Sequence, residues 1–145
     1  MPTIWDRLIA AGVSCRYYYS NVPFLSLWGL KYLRISALYD QFKSDAVNGK
    51  LPAVSLLDPW FTILDDGTGN DDHPHADLRK GEIFLREIVT ALASSPTLKN
   101  TVLVINRDEW GGFFDHVVPS RLIAPNASTR SLWAESRFLT AEPLP

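Results

Sequence analysis

The sequence predicts an α/β fold with a mainly parallel sheet and flanking helices. Helix-period segments alternate with short β-forming runs along the chain, the arrangement that builds parallel sheets with helical crossovers. The β-forming runs are mainly apolar, as strands covered on both faces are. Acidic residues and histidines follow those runs, where open parallel sheets bind their ligands.

Each element rests on local chemistry. Thr3 followed by Asp6 is a capped helix start. Trp5, Leu8 and Ile9 recur at helical spacing, and Gly12 closes the helix. Ser14 to Tyr19 is aromatic-rich and reads as a strand. Pro23 and Gly29 mark residues 20–31 as a loop. Its bulky groups Phe24, Leu25, Leu27 and Trp28 suit a loop packed on the core or rimming a pocket. Ile35, Leu38, Tyr39, Phe42 and Ala46 form a long amphipathic helix pattern that Asn48-Gly49 ends. Ala53 to Leu57, between Pro52 and Pro59, reads as a buried strand. Residues 58–75 are a polar, acidic loop. Leu85, Ile88, Val89 and Leu92 mark a helix that starts near Ala76 and ends before Pro96. Val102 to Ile105 reads as the clearest buried strand. The prolines at 119, 125, 143 and 145 make the last 25 residues irregular.

Composition narrows the function. The chain has 145 residues, the usual size of one domain. A net charge of −2 excludes the basic footprint of a dedicated nucleic-acid binder. No apolar run approaches the ~20 residues of a membrane span, and no signal peptide opens the chain. A single cysteine, Cys15, excludes an internal disulfide and a cysteine zinc cluster. Cys15 itself reads as a small buried group within a strand, and Tyr17-Tyr18-Tyr19 as core and pocket wall. There is no G-x-S-x-G elbow, no P-loop and no G-x-G-x-x-G.

Two clusters carry candidate chemistry. Asp108-Glu109 follows the Val102–Ile105 run, and two adjacent carboxylates at a strand end suit a hard divalent cation. Gly111-Gly112 would let the backbone turn sharply beside a ligand. The same stretch also fits a solvated acidic turn. Asp71-Asp72-His73-Pro74-His75 precedes a helix, whose N-terminus favours anions. A histidine there can donate to a phosphate oxygen or protonate a leaving group, or simply cap the helix. In a parallel sheet Asp58, this cluster, Asp108, Glu109 and His116 would converge on one edge.

Five segments occur in the order of a known family. They are Thr3–Leu8 (TIWDRL), Gly12–Tyr19 (GVSCRYYY), Leu51–Pro59 (LPAVSLLDP), Asn70–Asp77 (NDDHPHAD) and Asp108–Val117 (DEWGGFFDHV). With them the chain resembles the bacterial phosphoesterase family of phospholipases C and acid phosphatases, within the alkaline-phosphatase-like superfamily. The resemblance implies a partial alkaline-phosphatase-like α/β/α sandwich, with residues 1–125 an incomplete core domain and 126–145 an irregular tail.

It further implies hydrolysis of phosphate esters, phospholipid among the substrates, with one or more divalent metal ions. Asp108 and Glu109 would be metal ligands. His73 would be catalytic and contact the substrate phosphate. His75 would bind substrate, cap the helix or support a ligand. Asp72, Gly111, Gly112, Asp115 and His116 would play supporting roles. The family places further metal ligands in a Glu-Asn strand end and its Ser or Thr nucleophile upstream of the TIWDRL segment. Neither is expected in this chain, so negligible turnover is expected of it, and a phosphate- or metal-binding module is the alternative. Family members are often exported or periplasmic. A sheet lacking strands on either side would associate through its uncovered edge.

Overall fold

The computed structural model describes residues 2–63, 67–107 and 117. The chain divides at Ile105/Asn106 into two units, and the fold below belongs to the first. Helix α1 (Ile4–Ala10) starts where the sequence places it: Asp6 N–H donates to Thr3 Oγ1 at 3.3 Å and Thr3 N–H to Asp6 Oδ2 at 2.9 Å. Gly12 then turns the chain with φ +68°. Asp6 also accepts from Tyr32 Oη at 2.7 Å and from Lys31 Nζ at 2.6 Å. It thereby ties the segment before the second strand to the start of α1.

Strand β1 (Cys15–Tyr19) is central. Strand β2 (Ser36–Leu38) pairs with it in parallel register, Tyr17 opposite Ser36. Strand β3 (Val54–Leu57) pairs on the other side, also parallel, Tyr17 opposite Leu56. The sheet is therefore all-parallel, in the order β2-β1-β3. Successive side chains of a strand face opposite ways, so Tyr17 and Tyr18 enter two cores. Tyr18 packs with Phe42 and Ala46 of α2 (Tyr39–Val47) and with Phe84, Ile88, Ala91 and Leu92 of α3 (Leu78–Ala93). Tyr17 packs with Trp5 of α1, Leu25 and Tyr32. Helical segments thus cover both faces, the partial α/β/α arrangement that the resemblance implies. Cys15, half-buried against the Tyr17 core, is a free thiol.

Four elements differ from the expectation. The helix pattern beginning at Ile35 is instead a 3₁₀ segment (Leu30–Ile35), then β2, then α2. A three-residue strand is too short to show a period of two, and Leu38 and Tyr39 continue the helical spacing into it. Residues 20–31 contain 3₁₀ turns over Phe24–Trp28 and from Leu30. Val102–Ile105 is not a buried strand: it has no ladder partner among the described residues, and Val102 is 87% exposed. Propensity describes a residue's fitness for a sheet and cannot supply the neighbouring strand. β3 is also only partly buried, with Leu56 exposed, because only β1 flanks it among the described residues. The 125/126 boundary and the tail lie outside the described residues.

Candidate functional site

The loop after β3 returns across the carboxyl edge of the sheet and is clamped by side-chain amides and a carboxylate. Asn21, just past β1, donates to Phe61 O at 3.0 Å and accepts from Phe61 N at 3.1 Å. Asn70 accepts from Trp60 N at 2.6 Å through its side chain and donates its own N–H to Trp60 O at 2.8 Å. Asp71 accepts from Thr62 N at 2.7 Å and from Thr62 Oγ1 at 3.0 Å. These bonds give unpaired loop backbone the partners it would otherwise find in a ladder. The sequence groups Asp71 with the candidate chemistry, yet its carboxylate is a clamp.

His73 follows directly. Its N–H donates to Asp71 Oδ1 at 3.3 Å, and its carbonyl accepts from Ala76 N at 2.6 Å. The ring is exposed, with Nδ1 2.5 Å from Pro74 O. A carbonyl can only accept, so Nδ1 carries the proton and Nε2 is left for a ligand. His75 is also exposed. Asp72 sits at φ +60°, and its carboxyl lies against Gly81 of α3.

Neither histidine caps α3. The cap is Asp77, whose carboxylate accepts from Arg79 N at 3.0 Å. The Arg79 guanidinium beside it, 2.7 Å away, lowers the Asp77 carboxyl to about 2. A short acidic side chain one turn closer to the helix satisfies its free N–H groups better than an imidazole further out. With a carboxylate there already, an anion gains little from the dipole.

Sequence reasoning missed Lys80. It lines an open pocket of about 310 Å³ with Trp60, Thr68, Asn70 and Ile83, next to the clamped loop. Its Nζ lies 3.4 Å from the carbonyls of Gly67 and Thr68. The one available signal was a basic residue in the first turns of α3. Asp58, at the end of β3, is half-buried and accepts from the Tyr17 hydroxyl. Burial pushes its carboxyl up, and the Tyr17 bond opposes that in part.

Asp108, Glu109, Gly111, Gly112, Asp115 and His116 lie outside the described residues. Among the described residues no three His, Cys, Asp or Glu side chains come together as a metal-binding group. No helix among them is long and apolar enough to cross a membrane.

The phosphoesterase family matches residues 1–132. The chain is 39% identical over 129 residues to "Non-specific phospholipase C6" of Arabidopsis thaliana, covering 86% of this chain and 25% of that protein. It is 42% identical over 120 residues to "Non-specific phospholipase C1" of the same plant, covering 79% and 22%. To "Phospholipase C B" of Mycobacterium tuberculosis it is 37% identical over 79 residues, covering 54% and 14%. The chain therefore spans about a quarter of the length of the first two. Plant proteins stand beside bacterial ones, so a purely bacterial description is too narrow.

Proposed function

Because the chain belongs to the phosphoesterase family, we propose that it forms part of a domain that hydrolyses phosphate esters, of phospholipase C or acid phosphatase type. His73 contacts the phosphate, and Asp108 and Glu109 hold a divalent metal ion. The observation that carries this reading is the presentation of His73. Its backbone is fixed by Asp71, its Nδ1 is engaged by Pro74 O, and its ring is exposed.

Nε2 bonds a phosphate oxygen or a leaving-group oxygen only when it too carries a proton, so the working form is the imidazolium. In that form it stabilises negative charge on the phosphoryl group and can release a proton to the departing oxygen. Lys80, in the pocket beside the same loop, adds positive charge that attracts an anionic ester. Carboxylates are hard oxygen donors of the kind that Mg²⁺, Ca²⁺ and Mn²⁺ favour, so Asp108 and Glu109 fit such an ion by donor chemistry. When bound, it would supply Lewis-acid polarisation of a phosphoryl oxygen. Gly111, Gly112, Asp115 and His116 support that segment, and Asp72 supports the His73 loop. Phospholipid is among the substrates we propose.

The resemblance assigns the nucleophile and further metal ligands to residues outside the five matching segments. The 145-residue chain is expected to bind phosphate and a divalent cation weakly. Calorimetry with Mn²⁺ tests the metal half: binding lost in an Asp108→Ala/Glu109→Ala double variant supports it, and binding unchanged in that variant refutes it.

A further inference from the structure

A groove of about 360 Å³ runs between the start of α1, the Phe24–Trp28 turn and the end of β3. Its walls are almost wholly apolar and largely aromatic: Trp5, Tyr17, Phe24, Leu25 and Trp28. Asp58 is the ionisable carboxyl in that lining. One of its oxygens, Oδ2, accepts from the Tyr17 hydroxyl. Among the described residues, its other oxygen has no hydrogen-bond partner and no lysine or arginine lines the groove.

This combination is selective about what can fill it. An apolar occupant would strip water from the ionised carboxylate and offer nothing in return. An anion would meet like charge. A neutral alcohol could donate one hydrogen bond but would leave the charge uncompensated. An organic ammonium satisfies both halves: its charge meets the free carboxylate oxygen, and its hydrocarbon body takes the aromatic walls, whose faces attract cations. Burial pushes the Asp58 carboxyl up, which is the behaviour of a carboxylate lacking its counter-ion.

We propose that this groove is a binding site for an apolar organic ammonium, held by Asp58 and by the aromatic walls of Trp5 and Trp28. The site uses none of the residues assigned to phosphate, so it stands or falls separately from that reading.

The test is a titration of the 145-residue chain with hexylammonium and, in parallel, with 1-hexanol, followed by the indole N–H resonances of Trp5 and Trp28. Hexylammonium is expected to bind about tenfold more tightly than the alcohol, a difference of about 1.4 kcal/mol. Asp58→Asn is expected to abolish that preference; an asparagine carbonyl can still accept from Tyr17, so the variant keeps the local bond. Trp28 is exposed, and Trp28→Ala, with little folding role, is expected to weaken both ligands, hexylammonium the more because it also loses the attraction of the indole face for its charge. Equal binding of the two ligands would overturn the proposal. So would an undiminished preference in folded Asp58→Asn, or binding that leaves both indoles and the Trp28→Ala affinity unchanged.

Discussion

The carboxyl group of Asp72 occupies the space that a side chain at Gly81 would need. An ideal Cβ on Gly81 would stand 2.8 Å from Asp72 Cγ and nearer still to its Oδ1. Gly81 lies inside α3, where glycine costs about 1 kcal/mol relative to alanine. Close approach of the Asp72 loop is the return for that cost. Gly81→Ala should therefore lower stability by about 1–2 kcal/mol, since overpacking costs about 1–3 kcal/mol against the gain in helix propensity. A urea melt measures it. A stabilisation of about 1 kcal/mol, as propensity alone dictates, would show that the loop yields freely. Asp72→Gly in the Gly81→Ala background should restore the loss.

Asp45 is a buried carboxylate that accepts from Tyr18 Oη at 2.7 Å, Gln41 Nε2 at 2.7 Å and Arg16 Nη1 at 3.0 Å. Burial pushes its carboxyl up, but the bonds from Tyr18, Gln41 and Arg16 outweigh burial and leave it below the usual carboxylate value. Asp45→Ala strands the buried Tyr18 hydroxyl and should cost about 2–3 kcal/mol. A change below about 1 kcal/mol would contradict the assignment. The pH sense follows from the lowered value: the contribution is complete above the unfolded-state pKa of about 4 and is lost as pH falls from there through the folded value. Asp58, raised by burial, works in the opposite sense, its ionisation disfavouring the fold as pH rises. Stability against pH should thus lose its acid limb in part in Asp45→Asn, and Asp58→Asn should be no less stable than the parent at pH 7.

Asp71 spends its oxygens on Thr62 and the His73 backbone, so on the proposed reading it would act on phosphate only through His73. Asp71→Ala should shift the His73 ring resonances and weaken inorganic phosphate binding about fivefold, close to 1 kcal/mol. Asp71→Asn keeps one acceptor and should recover part of the affinity. Unchanged His73 resonances and phosphate affinity in Asp71→Ala would remove its positioning role.

The outer edge of β3 and the exposed Val102–Ile105 run present β-forming surface without strand partners among the described residues. Such edges join with one another. The chain should therefore associate as concentration rises, and Val102→Lys with Val104→Lys should suppress it, since both positions are more than three-quarters exposed. Sedimentation equilibrium reads this directly. A monomer at every concentration would contradict it.

Local signals made α1, α3 and β1 legible. Thr3 and Asp6 sit at capping-box spacing, α3 carries a clean apolar stripe, and the Cys15–Tyr19 aromatics face two cores. β2 was hidden because its three residues extend the helical period of α2. Val102–Ile105 was misjudged because its composition says nothing of a neighbouring strand. At the site, the family was readable from the five segments in their order, and the NDDHPHAD segment singled out His73. The clamps were not: Asn21 meets Phe61 40 positions away and Tyr17 meets Asp58 41 positions away, distances over which no periodicity carries information. Gly81, a glycine within an amphipathic pattern, was the one local hint of a close backbone approach.

The most direct test of the phosphoester reading is a titration of the 145-residue chain with inorganic phosphate, followed by the ring resonances of His73 and His75. The expected result is a saturable shift of the His73 ring, larger than that of His75, with binding lost in His73→Ala. No saturable shift at His73, or phosphate binding unchanged in His73→Ala, would contradict the assignment of His73 as the phosphate contact.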